Sequence, residues 1–118
     1  MRMSKLIGPA TLVAGLVAGA SMASAADAAK GKELYHKYQC SSCHGGVGQG
    51  ANTGPKLAPE PLPLDAMMNF VRNSTGLMPA YTATILKDAE FADIHAYLAS
   101  IPKTADYKTI PLLNAITQ

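Results

Sequence analysis

Past residue 25 the apolar positions fall into three stretches with helical spacing, separated by segments in which glycine and proline interrupt every pattern. Leu34, Tyr35 and Tyr38 share one face of a first helix, expected over about Ala28 to Tyr38 with Asp27 as its N-cap. Met67, Met68, Phe70 and Val71 are the apolar members of a second helix over about Asp65 to Asn73, which Thr75 and Gly76 end. Phe91, Ile94, Leu98 and Ile101 recur at three and four residues, the spacing of a last helix from Asp88 to Ser100 that Pro102 stops. No stretch alternates as a strand would, so the expected class is all-α. From Gly45 to Pro63 the chain is rich in glycine and proline and too long for an ordinary connection. It reads as a loop that wraps something.

The amino terminus follows a different pattern. Arg2 and Lys5 precede an apolar Gly/Ala/Leu/Val run to Ala20, and Ala23-Ser24-Ala25 has the small-x-small form of a signal-peptidase site. Residues 1–25 are therefore expected to be a secretory leader cleaved after Ala25. A competing reading is an uncleaved membrane anchor, since no charge lies between Lys5 and Asp27. The many Gly, Ala and Ser residues and the early Pro9 make that a weak spanning helix. Cleavage removes two of the ten basic residues, Arg2 and Lys5, and leaves the rest in balance with eight Asp and Glu. Nothing in that balance points to nucleic acid. What remains is enough for one domain, expected over 26–102, with an extension over 103–118. The extension contains Ile110-Pro111-Leu112-Leu113, more apolar than a free terminus ought to be, and is expected to cover its own domain or a partner.

The chemistry is concentrated in Cys40-Ser41-Ser42-Cys43-His44. Two thiols three residues apart with a histidine directly after them match the attachment site of a c-type haem. On one helical turn Cys40, Cys43 and His44 share a face. Two sulfurs can then bond the vinyl edge of a haem while the imidazole reaches the iron. A thioredoxin-like site is the first alternative, but it wants a βαβ context. Structural zinc is the second, and it wants four ligands where this chain offers only isolated His36 and His95, upstream and downstream of the pair. With no other cysteine, both thiols are expected to be consumed in thioethers, leaving none for a disulfide. A covalently held haem also supplies the staple that a domain of this size needs.

Gly31-Lys32-Glu33-Leu34-Tyr35, the haem motif, Gly54-Pro55-Lys56-Leu57, Phe70-Val71-Arg72-Asn73, Met78-Pro79-Ala80-Tyr81 and Ala96-Tyr97-Leu98 follow one another in an order and spacing that resemble a class I cytochrome c. The resemblance covers almost all of the chain beyond the leader. It implies three to four short helices wrapped around one covalently attached haem, with Gly31 and Tyr35 against the Tyr97 region where the first and last helices cross. It makes Cys40 and Cys43 the thioether attachments, His44 the proximal ligand, and the Pro55 carbonyl the partner of the other ring nitrogen of His44. Met78 fits the sixth ligand by position, followed by Pro79, which stiffens the backbone. His36 and His95 are the other axial candidates, while Met67 and Met68 read most simply as core. Two positions depart from the family pattern. Ser74 stands where relatives often have glycine, so the turn before Met78 is expected to differ. Lys87 stands where a Ser or Thr cap is usual, and Asp88 is expected to take that role.

The function implied is transfer of single electrons between periplasmic redox proteins, a dehydrogenase as donor and an oxidase or reductase as acceptor, with the membrane met only transiently or through partners. A thioether opposite histidine raises the potential relative to two nitrogen ligands. No residue is left over for bond-making chemistry, so the chain does not read as an enzyme. Two alternatives stand beside a diffusible carrier. One is a fixed haem subunit of a periplasmic flavodehydrogenase, to whose cytochrome subunits the run from Arg72 to Leu98 is similar. The other is a haem sensor or peroxidase with an open iron position.

Overall fold

The structure, a computed structural model, describes residues 25–116. All but the last residue of the expected leader lies outside them. Five helices are present, with no strand among the described residues: α1 (Ala28–Lys37), α2 (Cys40–His44), α3 (Leu64–Arg72), α4 (Asp88–Ser100) and α5 (Pro111–Ile116). Helical periodicity thus located the three longer helices to within a residue at each end. The haem motif forms a helical turn of its own. None of the described helices is long and apolar enough to cross a membrane.

Asp27 caps α1 as expected, its carboxylate accepting the N–H groups of Ala29 and Lys30 at 2.9 and 3.1 Å. Such a cap stabilises by about 1 kcal/mol. The start of α4 departs from expectation. Lys87 occupies the cap position, and the Glu90 carboxylate reaches back to its N–H at 3.1 Å. Asp88 is the first helical residue instead of the cap, and its carboxylate is drawn to Arg72 at 2.6 Å. A carboxylate in the first turn still complements the positive end of the helix.

The main contact between elements is the crossing of α1 and α4. Gly31 makes it possible, because a Cβ there would overlap the Asp93 backbone carbonyl. Buried Tyr35 meets Tyr97 beside it, ring centroids 5.6 Å apart. Leu34, Phe91, Ile94 and Leu98 complete this side of the core, and Met67, Val71 and Leu86 close it from α3 and the segment after it.

Asp93 is the one acid buried among these groups in the described residues. Its carboxylate accepts the Asp27 N–H at 2.8 Å and faces the Lys30 ammonium at 3.2 Å, tying the start of α1 to the middle of α4. The Asp27 N–H bond holds this carboxyl below the ordinary carboxylate value. The unfolded chain therefore binds the proton more readily, at about pH 3.9. The stabilisation is complete above that pH and disappears as pH falls through the lower folded value. Asp93→Asn is expected to be less stable than the natural protein at neutral pH, with the gap closing below about pH 4. Urea midpoints measured from pH 3 to 7 check this.

Beyond α4 the chain runs through a 3₁₀ turn at Tyr107–Thr109 into α5. Of the described elements, α5 packs only against that turn, and Leu112 and Ile116 remain exposed.

Candidate functional site

The end of α1 determines how the haem motif is presented. Tyr38 closes α1, and Gln39 adopts a left-handed backbone with φ 62°. A non-glycine residue there is costly unless its surroundings hold it. Here they do: the Gln39 amide donates to the His36 carbonyl at 3.3 Å, and its side-chain oxygen accepts the Ser42 hydroxyl at 3.0 Å. The joint turns the chain abruptly into α2. Tyr35 then fastens the far end of α2, its hydroxyl donating to the Gly45 carbonyl at 2.8 Å. Burial pushes that hydroxyl up to about 12, so it remains a donor throughout the neutral range.

The glycine- and proline-rich loop folds back onto this helix. The Gly50 N–H donates to the His44 carbonyl at 2.8 Å, and Leu57 and Ala58 both donate to the Gly48 carbonyl. Gly54 lies so close that a Cβ on it would come 2.6 Å from the Cys43 carbonyl oxygen and 2.9 Å from His44 Nδ1. That close approach brings the next carbonyl into place. His44, buried at 8% exposure, donates from Nδ1 to the Pro55 carbonyl at 2.8 Å. A carbonyl only accepts, so the proton of the neutral ring is on Nδ1 and the lone pair on Nε2.

His44 lines a cavity of about 880 Å³ together with Cys40, Cys43 and Met78. Its walls are chiefly apolar, from Leu57 on the loop, Met67 and Val71 on α3, Leu86, and Phe91 and Leu98 on α4. The half-buried Cys40 thiol is pushed up to about 11 by this burial, while Cys43 is exposed at the rim. Phe70 differs from the sequence expectation: it borders the cavity but is 70% exposed, so it stands at the mouth and not in the core.

The residues expected at a haem site are thus brought to one cavity. Cys40, Cys43, His44, Pro55 and Met78 all line it, whereas His36 and His95 do not. His36 is exposed on α1, and His95 ties α4 to the loop by donating to the Leu62 carbonyl at 2.8 Å. Met67 is buried core and Met68 packs at its edge. Neither alternative reading of the thiols finds its context. Among the described residues no strand is present for a thioredoxin-like site, and no cluster of three or more His, Cys, Asp or Glu could hold a metal ion alone.

Beyond α3 the fastening of the Met78 segment was not legible in sequence. Arg72 donates to the Tyr81 carbonyl and to Asp88, both at 2.6 Å, from a side chain only 16% exposed. The Tyr81 N–H donates to the Val71 carbonyl at 2.9 Å and its hydroxyl to the Tyr38 carbonyl at 2.6 Å. Ser74 donates its hydroxyl to the Met78 carbonyl at 2.7 Å. The advance signals were a basic residue in the last turn of α3, a common place for one, and the serine at position 74.

A helical domain whose helices α1 and α4 cross beside a Cys-x-x-Cys-His turn, with an apolar cavity against it, defines the c-type cytochrome class. Residues 26–98 match the family described as cytochrome C oxidase, cbb3-type, subunit III, and the chain belongs to that family of cytochrome c domains. The chain is also similar to the 4-cresol dehydrogenase (hydroxylating) cytochrome c subunit of Pseudomonas putida, at 33% identity over 101 residues, covering 85% of this chain and 86% of the relative. No solved structure matches the chain.

Proposed function

We propose that this chain is a periplasmic one-electron carrier, exported by a leader cleaved after Ala25, that holds one haem c through thioethers at Cys40 and Cys43 with His44 and Met78 as the iron ligands. The observation that carries this reading is the 2.8 Å bond from His44 Nδ1 to the Pro55 carbonyl on a ring that lines the cavity. The fit is chemical as well as spatial. Two thiols, an imidazole nitrogen and a thioether sulfur are the donors a c-type haem takes, and the apolar walls suit its macrocycle. Bound there, the group supplies a metal that gains and loses one electron.

The chain's own residues set how that happens. Pro55 orients the His44 ring and keeps electron density on Nε2. Leu57, Met67, Val71, Leu86, Phe91 and Leu98 exclude water and lower the local dielectric, which favours the state of lower charge. On the His44 side, the Tyr35, Gly50 and Pro55 bonds limit rearrangement when charge changes.

A Met78→Ala variant, purified with its pigment, tests the ligand assignment. It is expected to lose the weak sulfur-to-iron band at the red end of the oxidised spectrum entirely and to show a lower midpoint potential. Persistence of the band would overturn the assignment.

The similarity to a dehydrogenase cytochrome subunit over 85% of this chain favours one more specific setting, a haem subunit bound to a dehydrogenase. Size exclusion of native extract followed at the haem absorbance separates the two: a small species supports a diffusible carrier, a large one a bound subunit.

A further inference from the structure

The segment between α3 and α4 is fastened very unevenly. From Tyr81 onward it is held by the Arg72 guanidinium, the Val71 carbonyl and the Tyr38 carbonyl. Among the described residues, only one hydrogen bond reaches any residue from Thr75 to Ala80, the bond from the Ser74 hydroxyl to the Met78 carbonyl. Leu77, directly before Met78, is 95% exposed at the edge of the cavity. Met78 itself is only half-buried. The backbone from which its sulfur extends therefore depends on one side chain four residues earlier.

We propose that Ser74 is the positioning residue that holds Met78 at the iron. The inference rests on Met78 being the sixth ligand. Closing the turn at the Met78 carbonyl fixes the Cα from which the flexible thioether chain reaches inward. Without the hydroxyl, the backbone from Thr75 to Ala80 loses its one hydrogen bond and is free to move, which lets the sulfur leave the cavity. A glycine at this position would lack both the donor and the restraint on φ and ψ. Here serine provides both, so its departure from the usual family residue has a local physical role.

Ser74→Ala, Ser74→Thr and Met78→Ala are to be prepared with attached haem. Ser74→Ala is expected to bind carbon monoxide in the reduced form about fivefold faster than the natural protein, the factor that one ordinary hydrogen bond corresponds to. Its sulfur-to-iron band weakens and its midpoint potential falls, while its thermal unfolding midpoint drops by no more than about 8 °C. Ser74→Thr keeps the hydroxyl and is expected to keep the natural values. If Met78→Ala loses the band and Ser74→Ala matches the natural protein in rate, band and potential, the ligand reading stands and the role of Ser74 falls. Equal impairment in Ser74→Thr and Ser74→Ala also overturns it, because the hydroxyl would then not be the agent. If Met78→Ala leaves the band intact, both readings fall together.

Discussion

With Cys40 and Cys43 both replaced by alanine, acid-acetone extraction is expected to strip all pigment from the polypeptide, whereas the natural protein keeps its colour through the same treatment. The two thiols are the only cysteines in the chain, so no other residue can form a thioether to the vinyl groups. They stand on one turn, three residues apart, at the edge of the same cavity. A larger effect follows from that cavity. Without haem the chiefly apolar walls of a cavity of about 880 Å³ would face water instead of a macrocycle, in a domain whose whole stability is only about 5–15 kcal/mol. The double variant is therefore expected to collapse or unfold whenever its pigment is lost. Far-ultraviolet circular dichroism before and after extraction measures this, and native helicity in the stripped chain would contradict it.

The second large effect is expected at Gly31. Added at this position, a Cβ meets the carbonyl of Asp93, which is backbone and cannot rotate away. Overpacking of this kind costs about 1–3 kcal/mol even where side chains can adjust. Here the α1–α4 crossing must open, and the Asp93 bonds to Asp27 and Lys30 open with it. Gly31→Val is expected to lower the unfolding midpoint by at least ~10 °C, at about 4–8 °C per kcal/mol for a domain of this size. Gly46→Ala and Gly76→Ala are the controls, since a Cβ at either meets nothing within 4 Å. Thermal melts of the three variants with haem attached decide whether close approach, and not glycine as such, matters at Gly31.

The contrast between Gly31 and Gly46 also shows which parts of the molecule could be read from sequence. Phe91, Ile94 and Leu98 repeat at helical spacing because one face of α4 is buried, and a periodic cause leaves a periodic trace. The spacing of Cys40, Cys43 and His44 is legible for a similar reason: covalent chemistry dictates it. Pro55 and Met78 were reached through family resemblance, and the cavity brings them to the thiols. Other features depend on partners far away in the chain. Asp88 looks like a cap until Arg72, sixteen residues earlier, is found to hold it. Asp93 looks like a surface acid until the start of α1 is laid across it. Gln39 carries no left-handed signature, because Asn or Gly would be the usual residue and its own side-chain bonds substitute for that preference. Such pairings follow from the assembled fold and leave no mark on local composition.

The crossing of α1 and α4 joins the two ends of the cytochrome domain, with the haem motif, the loop and α3 all enclosed between them. Contacts so distant in sequence form late, since the whole intervening chain must first be gathered. A polypeptide delivered from its amino terminus therefore exposes Cys40 and Cys43 long before residues 88–100 arrive to shut the domain. The order of elements leaves both sulfurs open until α4 closes over the domain, which is when thioether attachment would be easiest if the proposed haem is bound there.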